Sequence, residues 1–525
     1  MSLFKPARKT LIAVLAMLAF APSRAAAAEL NAEPPPIAAE ATGPAAPWLS
    51  PPGRLQARWG SVPRLSLEPA ALPRLAAPAL ETCSEPCARH RNFLIPAIEV
   101  PAFVVGLNLV DRWILDKDYA QTRGLRPFFD HLVHGPWKYD ADSVWENFVA
   151  HPYMGSVMYN FARSSGLSFW WSFGYGFVGS LLWELGGETL PPSINDQVQT
   201  PVGGAFLGEV LFRAYVMILQ SGGDSPGFWR ELAAFLLNPT AGFNRLLFGD
   251  RYNPLEFDLR PTTFIMVAGR SGYHWSRGIG SVDGMLHNIW WGGEVELDYW
   301  MERPHSSVAL PFDMFRARVG LSFDTQGPQD TMLLNGMLLG WKQDAGAWTG
   351  IAGLVGSYED LNAGVFRGGG SALGFGVMGQ LLFGADSALT GYAALSGPLM
   401  AAGNSQRGSP PEVNEEDHHQ GPGGALGALE ARLSLSRRLM IDLIAREFII
   451  LGRNPLPGWE DQTYARLSSF VRIVGPHCLG LTADFAHRAS RTPHKPRIYQ
   501  HVFAFGLSYA WASDEHLSLR IPPAR

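Results

Sequence analysis

Cysteine is scarce: Cys83, Cys87 and Cys478 are the only three in 525 residues, which excludes a disulfide scaffold. Cys83 and Cys87, in "CSEPC", could close a local loop in an oxidising compartment or stay as two free thiols. A two-cysteine zinc site fits poorly there, because zinc wants four ligands and no CxxC partner exists. Charge of one sign is also missing. With 42 Lys and Arg against 47 Asp and Glu, the net charge of −5 offers no footprint for nucleic acid. No HExxH, Walker or dinucleotide motif occurs, so no cofactor and no dedicated metal centre is expected. "GDSPG" at 223–227 has the letters of a nucleophile elbow, but Pro226 cannot supply the N–H that an oxyanion hole needs, so it reads as a turn. Long clean apolar runs are absent too. Ser164–Trp183 is uncharged and long enough to span a bilayer, yet it contains five serines and four glycines. A compact helical bundle is the expectation there.

What is present divides the chain into regions. Lys5, Arg8 and Lys9 precede the short apolar core "LIAVLAMLAF" and the small residues "APSRAAAA", the pattern of a signal peptide over 1–28, with an uncleaved N-terminal anchor as the alternative. Residues 29–82 hold eleven prolines and little periodicity, which predicts a Pro/Ala-rich disordered linker. Residues 83–255 turn helical. Pro152 suits a first helical turn just after His151, and Thr200 with Pro201 is the expected start of another helix. Within that helix Gly204 and Gly208 make a small-xxx-small face for close packing, and Glu209 and Arg213 stand at i,i+4 and would pair.

From about 256 the period changes to two. In "FRARVGLSF", Phe315, Ala317, Val319, Leu321 and Phe323 alternate with Arg316, Arg318, Gly320 and Ser322. In "LEARLSLS", Leu429, Ala431, Leu433 and Leu435 alternate with Glu430, Arg432, Ser434 and Ser436. In "HVFAFGLSYAW", Phe503, Phe505, Leu507, Tyr509 and Trp511 share one face. Several such strands run beyond nine residues, long enough to cross a membrane at a tilt. The fold class expected is therefore α+β: an N-terminal helical domain, then an antiparallel transmembrane β-barrel of about 10–12 strands over 256–511. A soluble β-sandwich is the alternative. The last strand is similar to the terminal insertion signal of outer-membrane barrels, which implies the barrel-assembly machinery and outer-membrane lipid as partners. It departs from that signal in the tail that follows, residues 512–525.

The unusual polar side chains gather in the helical region. "LLWELGGETLPPSIND" ends an apolar run with Glu184 and Glu188 at i,i+4, followed by Ser193 and Asp196. Two carboxylates in an apolar setting have separated pKa values, which suits acid–base work, and with His151 they could bind a divalent metal. Glu184, Glu188, His151 and Asp196 are the catalytic candidates. The competing reading is a structural polar network of Asn147, Asn160, Arg163, Ser193, Thr200, Glu209 and Arg213. There Arg163 and Arg213 would neutralise the buried acids and fix helix register. "EVNEEDHHQ", with Glu415, Glu416, Asp417, His418 and His419, reads as a solvated loop.

The blocks "WENFVAHPYMGSVMYNFARSSG", "LLWELGGETLPPSIND" and "TPVGGAFLGE", between Trp145 and Arg213, resemble the bacterial domain-of-unknown-function family numbered 3943. The matching positions are Asn147, His151, Pro152, Arg163, Trp183, Glu184, Glu188, Pro192, Ser193, Asp196, Thr200, Pro201, Gly204, Gly208 and Glu209. The resemblance implies a helical segment paired with a C-terminal outer-membrane barrel, in the envelope of a Gram-negative-type bacterium, and implies no reaction. The function expected is a non-enzymatic channel, transporter or envelope scaffold, with the helices on the periplasmic side of the barrel or plugging it. The alternative is a membrane-embedded enzyme acting on envelope lipid or cell-wall material.

Overall fold

From Thr262 onward the chain runs in long antiparallel strands, joined mostly by tight turns, that close on themselves. The computed structural model describes residues 91–521 apart from 122–125, 134, 141, 223–225, 250–260, 280–284, 302–307, 326, 406–417, 454–455 and 496. The expected signal peptide, the linker, Cys83, Cys87, Ser225 and Glu415–Asp417 lie outside the described residues.

The strands are β1 (Thr262–Ile279), β2 (Met285–Trp300), β3 (Val308–Ala309), β4 (Met314–Asp324), β5 (Gly327–Ala345), β6 (Trp348–Asn362) and β7 (Phe366–Leu382). They continue as β8 (Ala388–Ser405), β9 (His418–Gly421), β10 (Gly424–Leu435), β11 (Leu439–Gly452), β12 (Gly458–Val474), β13 (His477–Arg491) and β14 (Ile498–Ala512). Each long strand pairs with the next, β14 pairs with β1, and β8 pairs with β10, so twelve strands form a closed ring. The short β3 and β9 are spurs on β5 and β8. Closure leaves no unpaired edge, which a bilayer requires of any strand-built span.

Alternation sorts side chains between wall and lumen as the period of two demands. On β14, Phe503, Phe505, Leu507 and Tyr509 are exposed on the outer wall, while Val502, Ala504, Ser508 and Ala510 are buried inside. On β4, Arg316 and Arg318 are buried inside, opposite in direction to Phe315 and Ala317. An apolar outer wall around a polar interior is the arrangement of a membrane barrel.

The interior is packed in layers. Its middle holds charged side chains in pairs: Arg270 with Glu294 at 2.9 Å, Arg316 with Asp298 at 2.7 Å, Arg318 with Glu430 at 3.1 Å, and Arg446 with Glu359 at 2.8 Å. Toward one end Leu361, Phe366, Ile444, Tyr464 and Val502 form an apolar layer. At the end where β1 begins and β14 finishes, Phe264, Met266, Met440, Phe470 and Cys478 form another, and the tail after β14 belongs to it. Leu517, Leu519 and Ile521 are buried there. Gln380 fixes the tail, donating to the Leu519 carbonyl at 2.7 Å and accepting from the Ile521 amide at 3.0 Å. The residues that follow the final strand thus close one mouth of the barrel.

The helices are α1 (Leu94–Trp113), α2 (Arg126–Val133), α3 (His151–Ser164), α4 (Phe169–Leu182), α5 (Ile194–Gln220), α6 (Phe228–Leu237) and α7 (Pro239–Phe248). Two five-residue π-helical turns interrupt them, Glu146–Ala150 leading into α3 and Trp183–Gly187 leaving α4. By length and composition α1 and α5 are each apolar enough to cross a membrane, although most of α5 is buried within the protein. Helix α5 starts well before Thr200, where the sequence predicts its start. Ser193 caps it, its hydroxyl accepting from the Asp196 amide at 3.2 Å, and Pro201 lies inside the helix, where it withholds an N–H from the Gln197 carbonyl. Thr200 lies inside this helix and so cannot cap it; its hydroxyl is 3.2 Å from His151 Nδ1. Helices α3 and α5 meet backbone to backbone: a Cβ at Gly204 would lie 2.5 Å from the carbonyl carbon of Gly155.

The helical domain lies against the outer wall of the barrel, neither in the lumen nor only at its end, and this corrects the sequence-based expectation. Phe206 packs on Gly356, Tyr358 donates to the Phe148 carbonyl, and Arg213 donates to the Pro311 carbonyl at 3.1 Å. Tyr299 and Phe315 join Leu207 and Val210 in one apolar cluster. Tyr358 stands between the lumen residues Ser357 and Glu359, and Tyr299 stands between Asp298 and Trp300, so both point outward. The lumen has no room for the helices because its own charged and apolar layers occupy it.

Candidate functional site

The sequence predicts that Glu184 and Glu188 face the same way one helical turn apart. The helix instead ends in a π-turn over Trp183–Gly187, and Glu188 is already in extended backbone, so the two neighbouring carboxyls take different partners. Glu184 is buried and accepts the Ser193 amide at 2.6 Å, while Glu188 accepts the indole N–H of Trp183. Gly187 at the end of the turn leaves out a side chain that would crowd it; a Cβ there would lie 2.6 Å from the Trp183 ring.

Asn195 is the hub of what surrounds them. Its amide donates to Asp140 at 2.7 Å and to the Asn147 side-chain carbonyl at 2.9 Å, and its oxygen accepts from the Ser193 hydroxyl at 2.9 Å. Asn147, which leads toward α3 in the other π-turn, donates to Gln420 on β9 at 2.9 Å and so ties the cluster to the barrel. His151 lies 3.5 Å from Asp196 through Nε2. One ligand atom each of Asp142, His151 and Asp196 fall within 4.8 Å of one another, a set of two carboxylates and an imidazole that could hold a divalent cation. Asp142 is at the exposed side of this group and His151 and Asp196 are deeper.

The electrostatics of the cluster are acid-rich. Burial and the neighbouring Glu188 push Glu184 well above the ordinary carboxyl range, against the hydrogen bond from Ser193. Burial also carries Glu188 up to about 7, with Asp140 and Asp111 adding to it and the Trp183 hydrogen bond opposing. Asp140 goes the other way: burial works against it, but hydrogen bonds from Asp196, Ser193 and Asn195 hold it below the usual value. Burial keeps His151 low, so it favours the neutral imidazole despite Asp140 and Glu146 nearby. Carboxyls kept partly protonated beside one held ionised are the arrangement that acid–base chemistry uses.

The arginines available to the buried acids gather on one of them, and Arg213 does so as its i,i+4 spacing to Glu209 predicts. Arg163 and Arg213 both pair with Glu209, each at 2.8 Å, and Tyr159 donates to the same carboxylate at 2.6 Å. Asn160 sits beside this group, donating to the Ser156 and Gly208 carbonyls at 2.8 and 3.3 Å. The polar residues predicted as one network therefore form two groups. Glu209 is fully matched by cations and joins α3, α5 and, through Arg213, the barrel. The group of Asp140, Asp142, Glu184, Glu188, Asp196 and His151 is linked by Asn147, Ser193, Asn195 and Thr200. Asp140, Asp142, Asn195 and Gln420 are not singled out by the sequence reading. The "DAD" at 140–142 just ahead of His151 is a signal that could have found two of them, whereas Gln420 carries no local signal.

His418 and His419 are not in a solvated loop, as the sequence suggests; both are buried in β9. His419 bridges Glu460 at 2.9 Å and Thr492 at 3.0 Å, which makes it a partner of the lumen network.

No curated protein matches this chain. Among solved structures, the NanC porin matches with 7% identity and a TM-score of 0.22, over 46% of this chain and 98% of that one. A mutant of the TodX monoaromatic hydrocarbon channel matches with 9% identity and a TM-score of 0.21, over 48% and 90%. The translocator domain of the autotransporter NalP from Neisseria meningitidis matches with 15% identity and a TM-score of 0.21, over 52% and 97%. None of these transfers a function to the chain. Residues 136–240, which hold the whole of the acid-rich cluster except its tie to Gln420, match the model of the family described as "Domain of unknown function (DUF3943)", the family that the blocks from Trp145 to Arg213 resemble.

Proposed function

We propose that this protein is an outer-membrane barrel of a Gram-negative-type envelope that acts as a scaffold for its helical domain and not as an open channel. The observation that carries this reading is the ion-pair layer across the lumen. Arg432 on β10 reaches Glu296 on β2 at 2.6 Å, and Arg318 on β4 reaches Asp442 on β11 at 3.0 Å, each pair joining strands six places apart in a ring of twelve. Solute crossing such a lumen would have to separate buried charges, which is costly for each pair broken. The apolar outer wall supports a lipid surround, and the terminal strand supports delivery by the barrel-assembly machinery. The test is conductance of the purified, refolded full chain in planar bilayers. No stable conductance steps are expected, and reproducible ohmic steps would overturn the reading.

A second reading is favoured by one specific feature. Both π-helical turns flank the acid-rich cluster, and single π-turns occur frequently at functional sites. In this reading Glu184, Glu188, Asp196 and His151, with Asp140 and Asp142, do acid–base or cation-assisted chemistry on envelope lipid or cell-wall material. Glu184→Gln combined with Glu188→Gln separates the two. Normal assembly with loss of the cellular phenotype supports chemistry, whereas loss of assembly supports a structural role. Normal assembly and an intact phenotype would sink both roles for this pair.

A further inference from the structure

We infer that the helical domain is itself immersed in lipid, its outer face continuing the apolar wall of the barrel. This rests on the reading of the barrel as membrane-embedded. The helices cover the outer side of β4–β8, which is where acyl chains would otherwise lie, so the surface they present outward takes over the place of the wall they hide. That surface is apolar. On α4, Trp170, Trp171, Phe177 and Val178 are all exposed, and the i,i+7 spacing puts 170 with 177 and 171 with 178 on one stripe. On α1, Ile98 and Val105 are 62% and 58% exposed with the same spacing.

The two stripes are neighbours. Phe93, just ahead of α1, packs edge-on against Trp171 with ring centroids 5.4 Å apart, and Tyr175 donates to the Phe93 carbonyl. No charged residue occurs from Ser164 to Trp183, so α4 has nothing to hold its outer face in water. Adjacent exposed tryptophans on a charge-free helix make the contiguous apolar surface that marks a contact with protein or membrane. The charged side chains between His151 and Gln220 are instead turned inward onto Glu209 or gathered in the acid-rich cluster at the helix ends. A helical domain in water would show the reverse pattern, apolar within and charged without. The occupant of the patch is therefore lipid hydrocarbon, continuous with that around Phe375 and Leu395 on the uncovered part of the same wall, 74% and 69% exposed.

The experiment is site-directed spin labelling of the full chain in phosphatidylcholine vesicles, with Cys83, Cys87 and Cys478 replaced. Single cysteines would be placed at Ile98, Trp171 and Val178, with Phe505 on the bare barrel wall as lipid control and, as water control, Glu515, whose exposed carboxylate pairs with the exposed Arg437 past the last strand. Collisions with oxygen should exceed those with a water-soluble nickel chelate at 98, 171 and 178, to the extent seen at 505, with the ratio inverted at 515. Nickel-accessible labels at 98, 171 and 178, with 505 still in lipid, overturn the inference while leaving the barrel reading intact. Labels at those positions shielded from both reagents also overturn it, since the face would then be covered by protein. If 505 is water-accessible as well, the barrel reading fails and this inference fails with it.

Discussion

Arg432 and Glu296 meet across the lumen from opposite strands, with the guanidinium Nη2 2.6 Å from the carboxylate. Arg432 also reaches Asp442 at 3.0 Å and Asp298 at 3.3 Å, and lies over the Phe264 ring at 4.7 Å. Removing one member leaves buried charge without its counterpart, which costs about 3–5 kcal/mol. Arg432→Met should therefore lower the temperature at which the folded band converts to the unfolded one on a gel. Arg432→Met with Glu296→Leu should recover part of the loss, because the pair is removed together. A double variant as unstable as the sum of its single variants would show that the two do not couple.

The tail makes a different prediction. Leu519 is buried in the apolar layer at the end of the barrel where β14 finishes, and its carbonyl is held by Gln380. Leu519→Asp would place a carboxylate in that layer and expel the tail, at a cost of about 2–4 kcal/mol. Proteolysis after the final strand should become fast, while the heat-modifiable band persists at a lower transition temperature. Because the ion-pair layer lies deeper in the lumen, this variant should still not conduct. Conductance appearing with Leu519→Asp would show that the tail, and not the charged layer, seals the barrel.

Gly204 tests whether the helical domain docks independently of barrel closure. A side chain there would strike the Gly155 backbone, which has no flexible end to move aside. Gly204→Val should separate α3 from α5 at a cost near the upper end of overpacking, about 3 kcal/mol. The expected result is a protein whose barrel still shifts on heating but whose residues 94–248 are digested by added protease. A barrel that fails to form at all would show that the helices are needed for closure.

Much of this architecture is legible in the sequence, for reasons that differ by region. The faces of β4, β10 and β14 follow from the residue pattern alone, because strict alternation leaves a single way for Arg316, Arg318, Glu430 and Arg432 to avoid lipid. What alternation cannot say is that these charges meet across the lumen, since partners such as Arg432 and Glu296 lie 136 positions apart in the chain. The same limit explains the helical domain. Spacing places Glu184, Glu188, Ser193, Asp196 and His151 together and pairs Arg213 with Glu209 at i,i+4, but it leaves the partner of Arg163 open. Only the crossing of α3 and α5 at Gly155 and Gly204 decides that Arg163 reaches Glu209 as well. The π-turn at Trp183–Gly187 is equally hidden, because a rule based on i,i+4 neighbours presumes an unbroken α-helix.

Glu188 supplies a pH dependence with a definite sign. Its unfolded value is about 4.3 and its folded value is raised to about 7 by burial, so the folded state binds the proton more tightly. The stability this gives is fully present below about pH 4 and is lost as the pH rises toward 7, where the folded carboxyl ionises. The full shift corresponds to at most about 4 kcal/mol, and partial solvent access of Glu188 reduces this to about 2. Glu188→Gln cannot ionise, so its thermal midpoint in detergent should fall less than the parent's between pH 4.5 and 7, and it should exceed the parent's at pH 8. Parallel curves for the two proteins would mean that Glu188 is already charged at low pH, with a cation held beside it. Repeating the parent's curve after chelation and with added zinc would then separate an ion bound at Asp142, His151 and Asp196 from neutralisation by a protein group.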